Sequence, residues 1–273
     1  MATKSRLLPA LSLGILLASL PARAETIDPN KPVSESLKPD LLYFNFDQEE
    51  DGDIVSQAES GLAASIETGK VDTPPAWKPG PGKAFGQALE FNYGSHPAFT
   101  GENVSTAGNH LRIPDDPSLR LAGQSFTIGA WIQLPEGAEL PPRPYKKIIS
   151  KGGHSGSYPG WSLQISGRKG VWHLSLLLVG PDHVQIRGDA RLPDLEPGAW
   201  QHVAASFDED SKDLTLWVDG VPVYVGDAPA EVGESTLPLV IGENGMSIYN
   251  NMPLVVDEVF IVSGVHDFVP VNR

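Results

Sequence analysis

The sequence predicts an all-β fold, either a sandwich or a closed barrel. Three observations predict it. Apolar residues recur at every second position in about ten short runs, and each run is bounded by Gly, Pro, Asp or Asn. No stretch carries apolar residues at helical spacing between capping residues. Strands without intervening helices exclude a parallel α/β sheet. No internal repeat of 20–50 residues is present, which disfavours a propeller or a solenoid.

Taken in order, Leu42-Tyr43-Phe44-Asn45-Phe46 is the first run. Residues 56–66 are the best helical candidate, but Gly61 interrupts them. A Pro/Gly-rich stretch over 74–82 then leads to Ala88-Leu89-Glu90-Phe91. Residues 126–132, 147–150, 161–165 and 171–179 follow, the third alternating cleanly as Trp161, Leu163 and Ile165. The set closes with 201–207, 214–218, 239–241 and 255–262. Asp219-Gly220 is a two-residue turn, because a tight hairpin needs positive φ at its centre and Gly220 supplies that without a steric cost.

Length and composition bound the rest. A chain of 273 residues that is 40% hydrophobic can close one sizeable core, and β-sandwiches of 200–250 residues form single domains. Lys4 and Arg6, the apolar stretch 7–20 and Ala22-Arg23-Ala24 have the three parts of a secretory signal, so residues 1–24 are expected to be removed and the mature chain to start at Glu25. An apolar run of about 14 residues is short for a bilayer span, and no later segment is long enough, so no membrane span is expected after cleavage. Residues 25–40 hold three prolines and few apolar residues, which reads as an extended leader. The domain is expected over 41–268, with a tail at 269–273. Without cysteine there is no disulfide, no thiolate zinc site and no lipidated N-terminal Cys. An exported chain of this kind fits a bacterial periplasm or medium. The net charge of −14 repels a phosphate backbone, so nucleic acid is excluded as a partner.

Phe44-Asn45-Phe46-Asp47, Gly86-Gln87-Ala88-Leu89-Glu90-Phe91 and Ser125-Phe126-Thr127-Ile128-Gly129-Ala130-Trp131-Ile132 stand in this order in the first half. Ile148-Ile149-Ser150-Lys151, Trp200-Gln201-His202-Val203-Ala204, Leu216-Trp217-Val218-Asp219-Gly220, Ile241-Gly242 and Val256-Asp257-Glu258-Val259 stand in the second. Over 41–264 the series resembles the bacterial laminin G-like, concanavalin A-like lectin/glucanase domain family. Trp217 stands where members often have Tyr, and Gln201 where they often have a second His. The resemblance implies a two-sheet antiparallel jelly-roll sandwich. It also implies a structural calcium ion where the end of the first strand meets the last strand, with Asp47 and Asp257 as ligands and Glu258 as an outside candidate. Two carboxylates alone do not fill the six to eight oxygen positions that calcium takes.

Motifs for chemistry are scarce. The Glu-x-Asp-x-(x-)Glu arrangement by which glycosidases of this fold align their acids does not occur. His154, His173, His183 and His202 lack the close spacing of a zinc site. The segment around Gly153-His154-Ser155-Gly156 lacks the Gly-x-Ser-x-Gly register of a hydrolase nucleophile. The alternating acids from Asp47 end at Ala58 where a calcium loop of the helix-loop-helix kind needs Glu.

These absences favour a non-catalytic binding module for polysaccharide or surface glycoconjugate. The alternatives are a glycan-cleaving enzyme with an atypical acid pair and a structural or assembly protein that binds another protein. Aromatic rings beside polar groups are what a sugar needs. Trp131 and Trp217 lie on the parity opposite to the core residues of their strands, so each either meets a covering segment or opens to a ligand. Trp161 shares core parity. The glycine-rich segment 141–160, read as a loop between strands, offers Tyr145, His154 and Tyr158 as further ligand-binding candidates.

Overall fold

A computed structural model describes residues 25–272, except 48–52, 70–72, 93–107, 138–144, 155–157, 169–170, 183–184, 192–196, 229–230 and 243–251. The signal segment, His183 and most of the acid run after Asp47 lie outside the described residues. The strands in chain order are β1 (Leu42–Phe44), β2 (Asp53–Val55), β3 (Ala63–Glu67), β4 (Ala76–Pro79), β5 (Gln87–Phe91), β6 (His110–Ile113), β7 (Phe126–Gln133) and β8 (Tyr145–His154). They continue with β9 (Tyr158–Arg168), β10 (Val171–Val179), β11 (Gln185–Arg191), β12 (Trp200–Phe207), β13 (Asp213–Val218), β14 (Val221–Asp227), β15 (Leu239–Ile241) and β16 (Leu254–Ser263). Helix among the described residues is confined to two 3-10 turns, Val33–Glu35 and Pro117–Leu119. None of it is long and apolar enough to cross a membrane.

Among the described residues the strands form two antiparallel sheets of eight. One runs β14-β13-β12-β7-β16-β5-β4, with β1 also paired to β16; the other runs β11-β10-β9-β8-β15-β6-β3-β2. This is the two-sheet sandwich that the resemblance implies, and one of the two architectures that the alternation left open. Directly paired residues share a face, so the register Ile128↔Ala205 and Ile132↔Gln201 fixes the inward side of the first sheet. The register Leu174↔Ile165 and Leu176↔Leu163 fixes that of the second. Between the sheets lies one continuous core that includes Phe126, Phe207, Leu216, Val256, Trp161, Leu163 and Leu176. The Trp161 indole keeps its polar edge satisfied there by donating to Leu119 O at 3.2 Å.

A second apolar cluster lies on the outer face of the first sheet, formed by Ile27, Val33, Leu37, Tyr43, Ala204, Trp217, Phe260, Val262 and Phe268. This corrects the reading of 25–40 as an extended leader. Ile27, Val33 and Leu37 are too widely spaced to give a periodic signal, yet all three are buried. Ile27 pairs in parallel with Phe268, donating to Asp267 O and accepting from Val269 N, both at 2.9 Å. Residues 25–37 thus form a strap over the sheet. Gly129 makes room beneath it: a Cβ there would stand 2.5 Å from Phe260 Cζ, so only a glycine admits that ring. Asp219 (φ 50°) and Gly220 (φ 73°) form the expected tight turn.

Candidate functional site

The two tryptophans are covered. Trp131 packs edge-on against Phe85 and His202, with centroids 5.9 Å and 5.6 Å away. Trp217 donates from Nε1 to Ser206 Oγ at 3.2 Å and lies 5.3 Å from Phe268. Both are under 9% exposed. They therefore line the second apolar cluster and its margin and are not open platforms. His202 is buried beside them, and neither of its ring nitrogens has a hydrogen-bond partner. Burial pushes its pKa down to about 3, so the imidazole is neutral.

The acids within β16, Asp257 and Glu258, are organised by a bulge. The register passes from Asp257↔Trp131 to Phe260↔Gly129, so β16 carries one residue more than β7 there, and Glu258 takes φ 51°. Two consecutive acids are buried as a result. Asp257 Oδ1 accepts from Glu258 N at 2.7 Å, whereas Oδ2 has no partner. Burial, with the Glu258 charge as a second cause, pushes the Asp257 carboxyl up to about 9. Oδ2 faces a cradle: a Cβ built on Gly80 would stand 2.7 Å from it and 2.9 Å from Phe85 O. Asp47 accepts from Gln87 N through Oδ1 at 2.8 Å, and a Cβ on Gly86 would overlap that oxygen at 1.8 Å. The nearby Asp47 charge adds to the upward shift of Asp257.

This corner fits a hard cation in one respect. It has an orphaned buried carboxylate oxygen beside a backbone carbonyl and a second acid. No group of three or more His, Cys, Asp or Glu side chains is assembled among the described residues, so most ligands would be backbone oxygens or water. Glu258 is directed elsewhere, which corrects its place as an outside candidate. Its Oε2 accepts from Val33 N at 2.6 Å and its Oε1 from the Tyr43 hydroxyl at 2.8 Å. Burial raises Glu258 to about 7, and burial followed by the Glu258 charge raises the Tyr43 phenol well above its usual range.

The segment 141–160, expected as a loop, is largely strand. Its described part is most of the β8–β9 hairpin, where β8 pairs with β9 from Tyr145↔Ser166 to His154↔Tyr158. Tyr158 is exposed, Tyr145 is half-buried, and the His154 side chain lies outside the described residues. The register places a polar row on the outer face of the second sheet. Tyr145, Ser166 and His173 stand side by side across β8 to β10, and Lys147, Gln164 and Ser175 form the next row. In the first row Tyr145, Ser166 and His173 are half-buried; in the second Lys147, Gln164 and Ser175 are buried. The Tyr145 hydroxyl bonds to Gln164 Oε1, and Lys147 Nζ donates to Gly153 O at 2.8 Å. Burial pushes the Lys147 amine down to about 7. Sequence reasoning missed Gln164, Ser166 and His173. Their signal was the polar parity opposite Trp161, Leu163 and Ile165.

No curated protein matches the chain by sequence. Among solved structures, the binding domain of Paraclostridial Mosquitocidal Protein 1 is similar with a TM-score of 0.58 and 13% identity, covering 84% of this chain and 50% of that one. The binding domain of botulinum neurotoxin serotype G gives 0.57 and 10%, covering 84% and 48%. A botulinum neurotoxin type C structure, described by cell entry dependent upon interaction with two ganglioside molecules, gives 0.55 and 12%, covering 84% and 49%. At these identities the likeness is one of fold, and the chain spans about half the length of each of these structures. A family model matches residues 105–265, more than half of the chain and the greater part of both sheets, and the chain accordingly belongs to the concanavalin A-like lectin/glucanases superfamily.

Proposed function

We propose that this chain is an exported, non-catalytic binding module for polysaccharide or a surface glycoconjugate, engaged at the half-open row of the second sheet. The observation that carries the reading is the alignment of Tyr145, Ser166 and His173 on one outer face beside Gln164. An aromatic ring flanked by hydroxyl, amide and imidazole groups on rigid strands offers a sugar both a stacking surface and directed hydrogen bonds.

The test is glycan-array binding followed by calorimetry on wild type and Tyr145→Ala. Retention of a glycan without released product, and a loss of about tenfold or more in Y145A, support the reading. Unchanged affinity in Y145A moves the site away from this row. New reducing ends favour the cleaving alternative, and a fixed co-purifying protein favours the assembly alternative. N-terminal sequencing of the mature protein from periplasm and medium checks export, with Glu25 as the expected first residue.

A second reading concerns the cation. Asp47 and Asp257 would hold a calcium ion at the cradle beside Gly80, where it would supply structural charge compensation. The unpartnered Asp257 Oδ2 supports this. A melting midpoint that is unchanged between excess calcium and excess chelator removes the ion, since a ligand bound to the folded state raises apparent stability.

A further inference from the structure

Asp257 and Glu258 share one peptide unit but face two different structures. Asp257 turns its unpartnered oxygen to the Gly80 cradle and holds the Glu258 N–H with the other. Glu258 turns both oxygens to the strap and its support: one takes the Val33 N–H, the other the Tyr43 hydroxyl. Val33 opens the 3-10 turn of the strap, and the first N–H groups of a helical turn have no partner within it. Glu258 supplies that missing acceptor from the body of the sandwich.

The backbone between the two acids is in a left-handed conformation that a non-glycine residue adopts only when its surroundings over-determine it. One determinant is the Asp257 carboxylate on the Glu258 N–H. A cation on Oδ2 would fix in place the same carboxyl group whose Oδ1 holds the Glu258 N–H.

Resting on the calcium reading above, we propose that the Asp257–Glu258 bulge couples the cation to the strap. With calcium on Asp257 the bulge is held, Glu258 caps Val33, and residues 25–37 stay closed over the outer face of the first sheet. With calcium removed the bulge relaxes, the cap weakens, and the strap opens locally. What it then uncovers is apolar: Tyr43, Trp217, Phe260 and Phe268 lie in the cluster that Ile27, Val33 and Leu37 complete. The other polar ties of the strap run mainly to the C-terminal segment, with Ile27 N to Asp267 O and Val269 N to Ile27 O at 2.9 Å, Asn30 Nδ2 to Pro270 O at 3.0 Å and Asn272 N to Asn30 Oδ1 at 2.6 Å. Ser34 bonds with Tyr43 beside the Glu258 cap.

Hydrogen exchange read by mass spectrometry on the mature chain tests the coupling, with calcium chloride or chelator as the probe and calorimetry as a separate measure of calcium binding. Peptides covering residues 25–37 are expected to exchange at least tenfold faster in chelator, while β7 and β12 peptides stay protected. Glu258→Ala is expected to bind calcium yet show fast strap exchange in both conditions. If that variant does not fold, Glu258→Gln, which keeps the size and one acceptor, is expected to narrow the calcium-to-chelator ratio at least threefold. Calcium binding with identical strap exchange in calcium and chelator overturns the coupling and leaves the cation reading standing. Absence of calcium binding overturns both.

Discussion

Replacing Lys147 by methionine should stabilise the protein at neutral pH and should do so less and less as the solution becomes alkaline. The side chain is fully buried on the outer face of the second sheet, and its amine donates to Gly153 O at 2.8 Å. Burial lowers its pKa from 10.5 to about 7. The unfolded chain therefore binds one more proton than the folded chain between about pH 7 and 10.5. Stability contributed at this residue rises with pH through that window. At about pH 7 and below the penalty is essentially complete, and above 10.5 it is gone. At 1.36 kcal/mol per pH unit the full penalty is about 5 kcal/mol, an upper figure for a site that water can partly reach on relaxation. Methionine removes the penalty and also the hydrogen bond, which is worth about 1–2 kcal/mol, although Ser162 Oγ still donates to the same carbonyl at 3.3 Å. The net expectation at pH 7 is a gain of about 2–4 kcal/mol. Urea unfolding of wild type and K147M from pH 6 to 10 measures it. Only the difference between the two proteins is informative, because raised carboxyls such as Glu258 contribute a slope of the opposite sign in both. That difference should shrink by about 1.4 kcal/mol per pH unit above pH 7. A difference that is flat with pH, or a K147M protein less stable than wild type at pH 7, refutes the reasoning.

Three further substitutions probe the outer face of the first sheet. His202→Phe should raise the melting temperature, with a gain of about 1–2 kcal/mol, because two buried nitrogens without partners are replaced by carbon among Trp131, Phe260 and Phe268; a lower melting temperature would mean that the imidazole has a partner after all. Gly129→Ala should cost about 1–3 kcal/mol in chemical unfolding, since its Cβ would collide with the Phe260 ring. Trp217→Phe should cost about 1–3 kcal/mol through the lost bond to Ser206 and the lost contact with Phe268, and should leave glycan affinity unchanged. Full stability with weakened glycan binding in W217F would restore the open-platform role that the structure denies to this residue.

The strands of the core were legible because burial on one face forces a period of two, as at Leu214, Leu216 and Val218. Parity also placed Trp131 and Trp217 on the outer side. What parity cannot report is whether a distant segment returns to cover that side. Ile27, Val33 and Leu37 do so singly, with prolines and charges between them, so no local pattern announces the strap. The β8–β9 hairpin was obscured for another reason. Gly152, Gly153 and Gly160 read as a loop, yet their positive φ values bend the strands without ending the pairing. Lys147 and Lys151 are both buried. Lys151 is held there by Asp115 at 2.5 Å and Leu237 O at 2.7 Å, and Arg120 joins the same carboxylate at 2.7 Å. A charge whose partners lie about 36 and 86 positions away in the chain gives no sign of them in its own neighbourhood.

The acids at the bulge of β16 show the limit most clearly. Family likeness carries positions, and it brought Asp257 forward as a ligand with Glu258 as an outside candidate. Direction is set by the backbone, and here a single extra residue sets it. Had β16 continued in regular pairing with β7, alternation would have sent one of the two acids into the core and the other outward. The bulge instead keeps both on the outer side and turns them apart, Asp257 toward Gly80 and Glu258 toward Val33 and Tyr43. A one-residue insertion is invisible in a string of alternating letters, because Val256, Val259 and Ile261 still look like core residues on either side of it. The division of labour between two adjacent carboxylates is therefore a property of register, and deleting the extra residue should abolish it even with both acids retained.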